Sequence, residues 1–345
     1  MMSGMYAAIS GLSAHQTMLD VIGNNLSNVD TVGYKAQRTT FVDELAQLVH
    51  PASAASSLLG GSNPVQIGLG VQIGSIDNMM GAGSLENTGN ATDVAIQGDG
   101  FLTVQAGSVS AAGSWSGPTP PPAGTDTYTQ PKFQAAAGPV QYTRAGNLTL
   151  TPWTDPGSNS TNSYLTTQSG QYVLGYPADP ISGLINPNGP KDDGNNIGKV
   201  DPTVAPATPI EIPAMATNVQ IANNGAVTYT DGNPADDGTG TTPNTYNTTV
   251  TAGYISLATM TNEAGMQRDG SSLWTPTTNT GPTAYGQPGT GNVGKTLSGQ
   301  LEMSNVDMAT EFTNMIQAQR GYQANASTVT TADQMLQTVV QMKQG

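Results

Sequence analysis

Apolar residues recur at every seventh position towards the end of the chain, at Met308, Met315, Tyr322, Val329 and Leu336, with Phe312, Ala318, Ala332, Val339 and Val340 beside them. This is the spacing of a coiled-coil seam, and it predicts one long helix within the stretch Leu301 to Gln344. At about 1.5 Å per residue, such a helix is roughly twice as long as a small domain is wide, so it requires a partner outside the globule that precedes it. Asn305 or Asp307 can cap its start. Glu311 falls in its first turn and Lys343 in its last, as the helix dipole prefers. The same period opens the chain. Met5, Leu12, Leu19 and Leu26 share one seven-residue register, and Ala8, His15, Ile22 and Val29 share the register three positions later, which predicts an amphipathic helix of about seven turns. Gly23, Asn24 and Asn25 are poor helix formers, and Asp30, Thr31 and Gly33 form turns, so this helix should stop near Val29.

Between the two ends the period changes from seven to two. Val65, Ile67, Leu69, Val71, Ile73 and Ile76 alternate with polar residues or glycine, and Val94 to Val104 reads as strand, turn, strand around Gly98-Asp99-Gly100, with the glycines supplying positive φ. Further strands are predicted within Tyr142 to Leu150, Tyr164 to Leu174, Ile210 to Ile212, Val219 to Ile221, Val227 to Tyr229 and Val250 to Leu257. Phe41, Leu45 and Leu48 fall on one face of a short amphipathic turn before Pro51. Residues 51 to 64, rich in Ala, Ser and Gly, read as a mobile loop. Long polar loops are expected at 105 to 140, 152 to 163, 177 to 208 and 231 to 248. The fold class is therefore α+β: N- and C-terminal coiled-coil helices pair as a shaft, and a β-rich outer domain is inserted between them. The expected divisions are residues 1–34 for the first helix, 35–75 for a connecting segment, 76–297 for the outer domain and 298–345 for the last helix.

Composition narrows the function classes. The 345 residues carry a net charge of −14, only 10% are charged, and Gly (42) and Pro (23) are abundant, which suits β-structure with many turns. No Lys/Arg patch is present, which argues against nucleic acid and anionic membranes. There is no Cys and only two His, His15 and His50, so a disulfide scaffold and a thiolate metal site are excluded and no nucleophile, base and orienting acid can be assembled. No enzyme and no cofactor are expected. No apolar run reaches the roughly 18 residues of a membrane span. The N-terminus has no basic region, continuous apolar run or small-residue cleavage site of a signal peptide, so the protein is expected either to stay in the cytoplasm or to leave by another export route.

Two stretches at opposite ends carry a resemblance. Asn24-Asn25-Leu-Ser-Asn-Val-Asp-Thr-Val-Gly-Tyr-Lys35 resembles the signature of the flagellar rod and hook protein family, an Asn pair on the first helix followed by an Asn-x-x-Thr-x-Gly-Phe/Tyr-Lys turn. The C-terminal run, with Ser304-Asn-Val-Asp307, Ala318-Gln-Arg-Gly-Tyr-Gln323 and Asp333-Gln-Met-Leu336, is similar to the same family's other end. Gly98-Asp-Gly-Phe101, the Arg144-Ala-Gly-Asn147 turn and Met266 to Trp274 resemble family segments of the middle.

The resemblance implies a structural subunit that polymerises with itself, its assembly carried by Met5, Leu12, Leu19, Ile22, Leu26, Asn24, Asn25, Met308, Phe312, Met315, Tyr322, Val329 and Leu336. Among rod and hook subunits the sequence reads closer to the hook protein, a flexible joint that transmits motor torque and conducts exported subunits. The distal rod protein is the alternative. Its implied partners are distal rod and hook–filament junction proteins, the hook cap and the export apparatus, with location in the flagellum after export. Phe41 and Leu45 look like the family's export-gate signal, and simple packing explains the same pattern equally well. The carboxylates at Asp192-Asp193 and Asp231 to Asp237 have the crowding of calcium loops without EF-hand spacing or a terminal Glu, and a solvated acidic loop fits them better. A reading of another class, an exported β-rich glycan-binding protein or enzyme, suits the composition of the middle and leaves the heptads unexplained.

Overall fold

The computed structural model describes residues 2–54, 60–109, 133–135, 139–154, 161–178, 208–213, 215–232 and 248–344. The chain divides into two compact units. One comprises Met1–Asp30, Lys35–Gly81 and Asn305–Gly345, and the other Thr31–Tyr34 and Ala82–Ser304.

The first unit holds both terminal helices, α1 (Met2–Ser27) and α2 (Met308–Gln344), with four strands, β1 (Gln37–Asp43), β2 (Ala46–His50), β3 (Val65–Gly68) and β4 (Val71–Asn78). Helix α1 stops two residues before the expected Val29. Of the two candidate caps for α2, Asp307 is the one that acts: its carboxylate accepts from the Ala309 amide at 3.0 Å, a donor that a helix start otherwise leaves open, and also from the Thr310 hydroxyl at 2.7 Å. Asn305 instead fixes the strands. Its Oδ1 accepts from the Ala36 amide and its Nδ2 donates to the carbonyls of Met79 and Gly81. Lys35 is fully buried beside it and donates from Nζ to the Gly81 carbonyl at 2.9 Å.

The alternation from Val65 to Ile76 does form strands, broken at Gly70, whose φ of 145° suits glycine. Their partners lie in a segment that sequence periodicity assigns to a helical turn. β1 pairs antiparallel with β4, and β2 with β3, so Phe41, Leu45 and Leu48 do not share a helical face. The run Thr39-Thr40-Phe41-Val42 favours a strand, and a partner strand overrides the weak i, i+4 signal. The ends of the expected 51–64 loop are bridged: Ser53 and Ser62 exchange two backbone hydrogen bonds at 3.0 and 3.1 Å, while residues 55–59 lie outside those described.

The second unit is β-rich. Its main antiparallel path runs through strands Thr217–Ile221, Ala226–Thr230, Thr249–Ile255, Tyr172–Pro177, Phe101–Gln105, Gln141–Thr143, Leu273–Thr275 and Gln267–Gly270. The core lies on Val94, Leu102, Val104, Leu165, Val173 and Ile255, among others, all essentially inaccessible. The expected strand–turn–strand at Val94 to Val104 is present as Val94–Gln97 and Phe101–Gln105, with φ of 104° at Gly98 and 135° at Gly100. The two strands do not pair with each other: the first joins Lys295–Ser298, and the second joins Gln141–Thr143 and Tyr172–Pro177. Among the described residues, one ion pair is buried, Arg144 Nη1 to Glu302 Oε2 at 3.3 Å, with the guanidinium also 4.9 Å from the Phe101 ring centre. Most residues of the expected loops, including Asp192, Asp193, Asp236 and Asp237, lie outside the described residues.

Candidate assembly interface

Helices α1 and α2 meet through small residues. A Cβ placed on Gly11 would stand 2.7 Å from Asn325 Nδ2, and one on Gly321 would stand 2.6 Å from His15 Nε2. Moving four residues up α1 moves four residues down α2. Ten further along, Asn25 donates to Glu311 Oε1 at 3.2 Å, so the helices run antiparallel in a constant register. Full burial falls on Ala8, Ala14, Val21, Ile22 and Asn25 of α1 and on Ala318 and Ala332 of α2. Glycine and alanine here let the backbones approach closely, at the cost of helix propensity where glycine is used.

The residues expected to carry assembly differ in burial. Of the residues expected to carry assembly, Ile22 and Asn25 are buried, whereas Met5, Leu12, Leu19, Leu26, Met315, Tyr322, Val329 and Leu336 are half-buried. Met308 and Phe312 are about half exposed, at 51% and 49%, and Asn24 is exposed. His15, from the register containing Ala8 and Ile22, faces α2, as do Gly11 and Asn25. Sequence periodicity passes over Gly11 and Gly321 because it weighs apolar bulk, and a close helix crossing selects against bulk.

The Asn pair divides its labour. The Asn25 side chain treats Gln37 as a strand would: Oδ1 accepts from the Gln37 amide at 2.9 Å and Nδ2 donates to the Gln37 carbonyl at 2.8 Å. The same Nδ2 reaches Glu311, so one buried amide links α1, β1 and α2. Burial pushes the Glu311 carboxyl above its ordinary range, the Asn25 bond opposes this, and the Asp307 charge adds to it. Asp307 is held below its ordinary range by the Thr310 hydroxyl and the Ala309 amide.

Phe41 lies in β1 with its ring 5.8 Å from that of His15. Leu45, between β1 and β2, is 81% exposed. Its carbonyl accepts from the Leu69 amide at 3.2 Å. Leu48, Val49, Val65 and Ile67 are also exposed, which leaves the β2–β3 ribbon apolar and largely uncovered. Among the described residues no group of three or more His, Cys, Asp or Glu could hold a metal ion. Nor is any helix among the described residues long and apolar enough to cross a membrane.

Comparison with known proteins falls on the same two ends and then on the whole chain. Residues 5–35 match the family described as flagella basal body rod protein, and residues 297–342 match the C-terminal region of the flagellar basal body rod FlgEFG proteins. The chain is 34% identical over 344 residues to the flagellar basal-body rod protein FlgG of Bacillus subtilis, covering 99% of this chain and 100% of that protein. It is 28% identical over 442 aligned positions to the flagellar hook protein FlgE of Borreliella burgdorferi, covering 99% and 100%, and 29% identical over 417 to FlgE of Escherichia coli, covering 97% and 99%.

Proposed function

The chain belongs to the flagellar rod and hook protein family, and we propose that it is a structural subunit that polymerises with itself into the tubular axis of the flagellum, with α1 and α2 as the shaft. The observation that carries this reading is that the two ends matched by the family contain the two helices of a single unit, which meet along a glycine-lined antiparallel contact. That unit still exposes Met308, Phe312, Ile316, Tyr6 and Ile9, apolar area that stacking with further copies would remove from water.

Within the family we favour a distal rod subunit. Rod relatives align with this chain at essentially its own length, whereas the hook relatives need 442 and 417 aligned positions against 345 residues. The hook reading rests on the character of the Leu301 to Gln319 stretch and on the long insertions of the β-rich unit. Electron microscopy of the purified chain under polymerising conditions separates the two: straight tubes are expected, and curved tubes would favour the hook. Removing residues 1–28 or 307–345 should abolish tubes and leave the second unit folded, because it has its own core while an isolated helix has nowhere to bury its face. Tubes formed by either truncated chain would overturn the polymerisation reading itself.

Phe41 and Leu45 are retained as the proposed export element, now as exposed positions on a β-ribbon. Phe41→Ala is expected to block secretion while the purified protein still polymerises; secretion at the normal rate would return Phe41 to packing against His15.

A further inference from the structure

Helix α2 outlasts its partner. The pairs Gly11 with Asn325, His15 with Gly321 and Asn25 with Glu311 fix one antiparallel register, in which Met2, the first residue of α1, falls opposite Gln334. Residues 335–344 of α2 therefore extend about 15 Å past α1. The face that α1 covers changes character at that point. Where the helices meet, α2 offers the small residues Ala318, Gly321 and Ala332. Val339 lies seven residues after Ala332, about two turns on and on the same face, and it is bulky and about half exposed. Met335, Val340 and Met342 are exposed with it. Residues 334–342 include no charged side chain.

A second apolar stripe stands at the start of α2: Met308, Phe312 and Ile316, four apart as one ridge of a helix and each about half exposed. Met335 follows Met308, and Val339 follows Phe312, by 27 residues, about seven and a half turns. The two stripes thus point in opposite directions at opposite ends of one helix, the later towards the α1 side and the earlier away from it.

We propose that α2 of one copy and α2 of the next form a lap joint, with Met335, Val339 and Met342 of one against Met308, Phe312 and Ile316 of its neighbour. The joint rests on the polymerisation reading and adds where the copies meet. Opposed faces at opposite ends are what identical copies need to overlap by translation along the helix axis, the neighbour's α2 taking over the face that α1 no longer covers. Because the two surfaces differ, each copy keeps one unused half at either end, and the contact is open-ended. Tyr6 and Ile9, also exposed, lie on α1 near the same end as residues 335–344; a joint onto them would bring like ends together and close as a dimer. Charge agrees with a second copy as the occupant. Copies that each carry −14 repel except across neutral surfaces. The sole charge in 308–316 is Glu311, which is turned towards Asn25 of α1. Overlap then removes both apolar stripes from water.

The chain has no Cys, so introduced thiols report the joint alone. Phe312→Cys and Val339→Cys in one chain, oxidised under polymerising conditions, should give a ladder of covalent oligomers on a non-reducing denaturing gel. The two positions lie about 40 Å apart along one helix, too far for a bridge within a chain. Each single variant should remain monomeric on the gel, and a mixture of the two should give one covalent dimer. Dimers from Val339→Cys alone would place like ends together and overturn the proposal. So would wild-type tubes seen by electron microscopy with no ladder from the double variant, an outcome that leaves the polymerisation reading standing. Wild-type protein that forms no tubes overturns that reading and the joint with it. Deleting residues 335–345 retains the whole α1–α2 contact and should leave a folded chain that forms no tubes; tubes from it would also overturn the joint.

Discussion

His15 and Gly321 are bound by shape: the imidazole lies over the glycine so closely that a Cβ there would meet Nε2 at 2.6 Å, Cε1 at 2.7 Å and Cδ2 at 3.1 Å. The ring cannot swing away freely, because the Phe41 ring stands 5.8 Å from it. Gly321→Ala therefore sets an overpacking cost of about 1–3 kcal/mol against a helix-propensity gain of about 1 kcal/mol, and the expected outcome is a net loss of up to about 2 kcal/mol. At Gly11 the obstacle is the end of the Asn325 side chain, which can rotate. Gly11→Ala should be near neutral. Thermal unfolding followed by helical ellipticity compares the two, and a stabilised Gly321→Ala would show the crossing to be looser than described.

Asn24 and Asn25 look alike in sequence and differ in consequence. Asn25→Ala leaves the amide and carbonyl of Gln37 and the Glu311 carboxylate short of a partner in a part-buried place. Leaving such groups unpaired costs about 1–3 kcal/mol. Asn24 is exposed, and Asn24→Ala should stay within about 0.5 kcal/mol. Chemical denaturation of the two variants checks the contrast, and equal losses would assign the pair a shared role that the hydrogen bonds do not show.

Much of this unit is legible in the sequence. The seven-residue period placed both helices to within a few residues, and the period of two placed β3 and β4, because both signals arise from burial of alternate faces. The partners of those strands were not legible. Gln37 to His50 is exposed at Leu45, Leu48 and Val49, so burial imposes no clean alternation, and pairing across the ribbon is a non-local fact. The role of Asn25 was equally hidden, since an amide that mimics a strand partner leaves no periodic trace. In the second unit, Gly98 and Gly100 announce their turn, while no periodic signal marks Arg144 and Glu302 there, or Lys35 in the first unit, as buried.

Glu311 gives the helical unit a pH dependence of definite sign. Its folded carboxyl titrates above the ordinary value of 4.5, chiefly because burial disfavours the charged form. The folded state then holds its proton to higher pH than the unfolded chain, so stability declines as pH rises from about that value through the raised one. Glu211 shifts in the same direction, also by burial, and Asp307 shifts the opposite way, its contribution being lost as pH falls below its ordinary range. Glu311→Gln isolates one of the three: an amide oxygen can still accept from Asn25, and the variant should lose part of the decline. Helical ellipticity measured against urea at a series of pH values from about 4.5 upwards gives the slopes. An unchanged slope in Glu311→Gln would assign the dependence elsewhere.

The buried pair in the second unit offers the sharpest energetic test. Glu302 accepts from Arg144 at 3.3 Å and from the Gly83 amide at 3.0 Å, and both charged side chains are essentially inaccessible. Arg144→Met alone strands the carboxylate without its cation, and breaking a buried pair in this way costs about 3–5 kcal/mol. Glu302→Gln alone strands the guanidinium, though the Phe101 ring at 4.9 Å still offers it a π face, so the loss should be the smaller of the two. The double variant removes both charges and retains an acceptor for Gly83, and it should recover a substantial part of the single losses, because replacing a buried pair with neutral groups is often close to neutral. Denaturant unfolding of the four proteins closes a double-mutant cycle. Losses that simply add would mean that Arg144 and Glu302 are stabilised independently, by Phe101 on one side and Gly83 on the other, and that the ion pair itself contributes little.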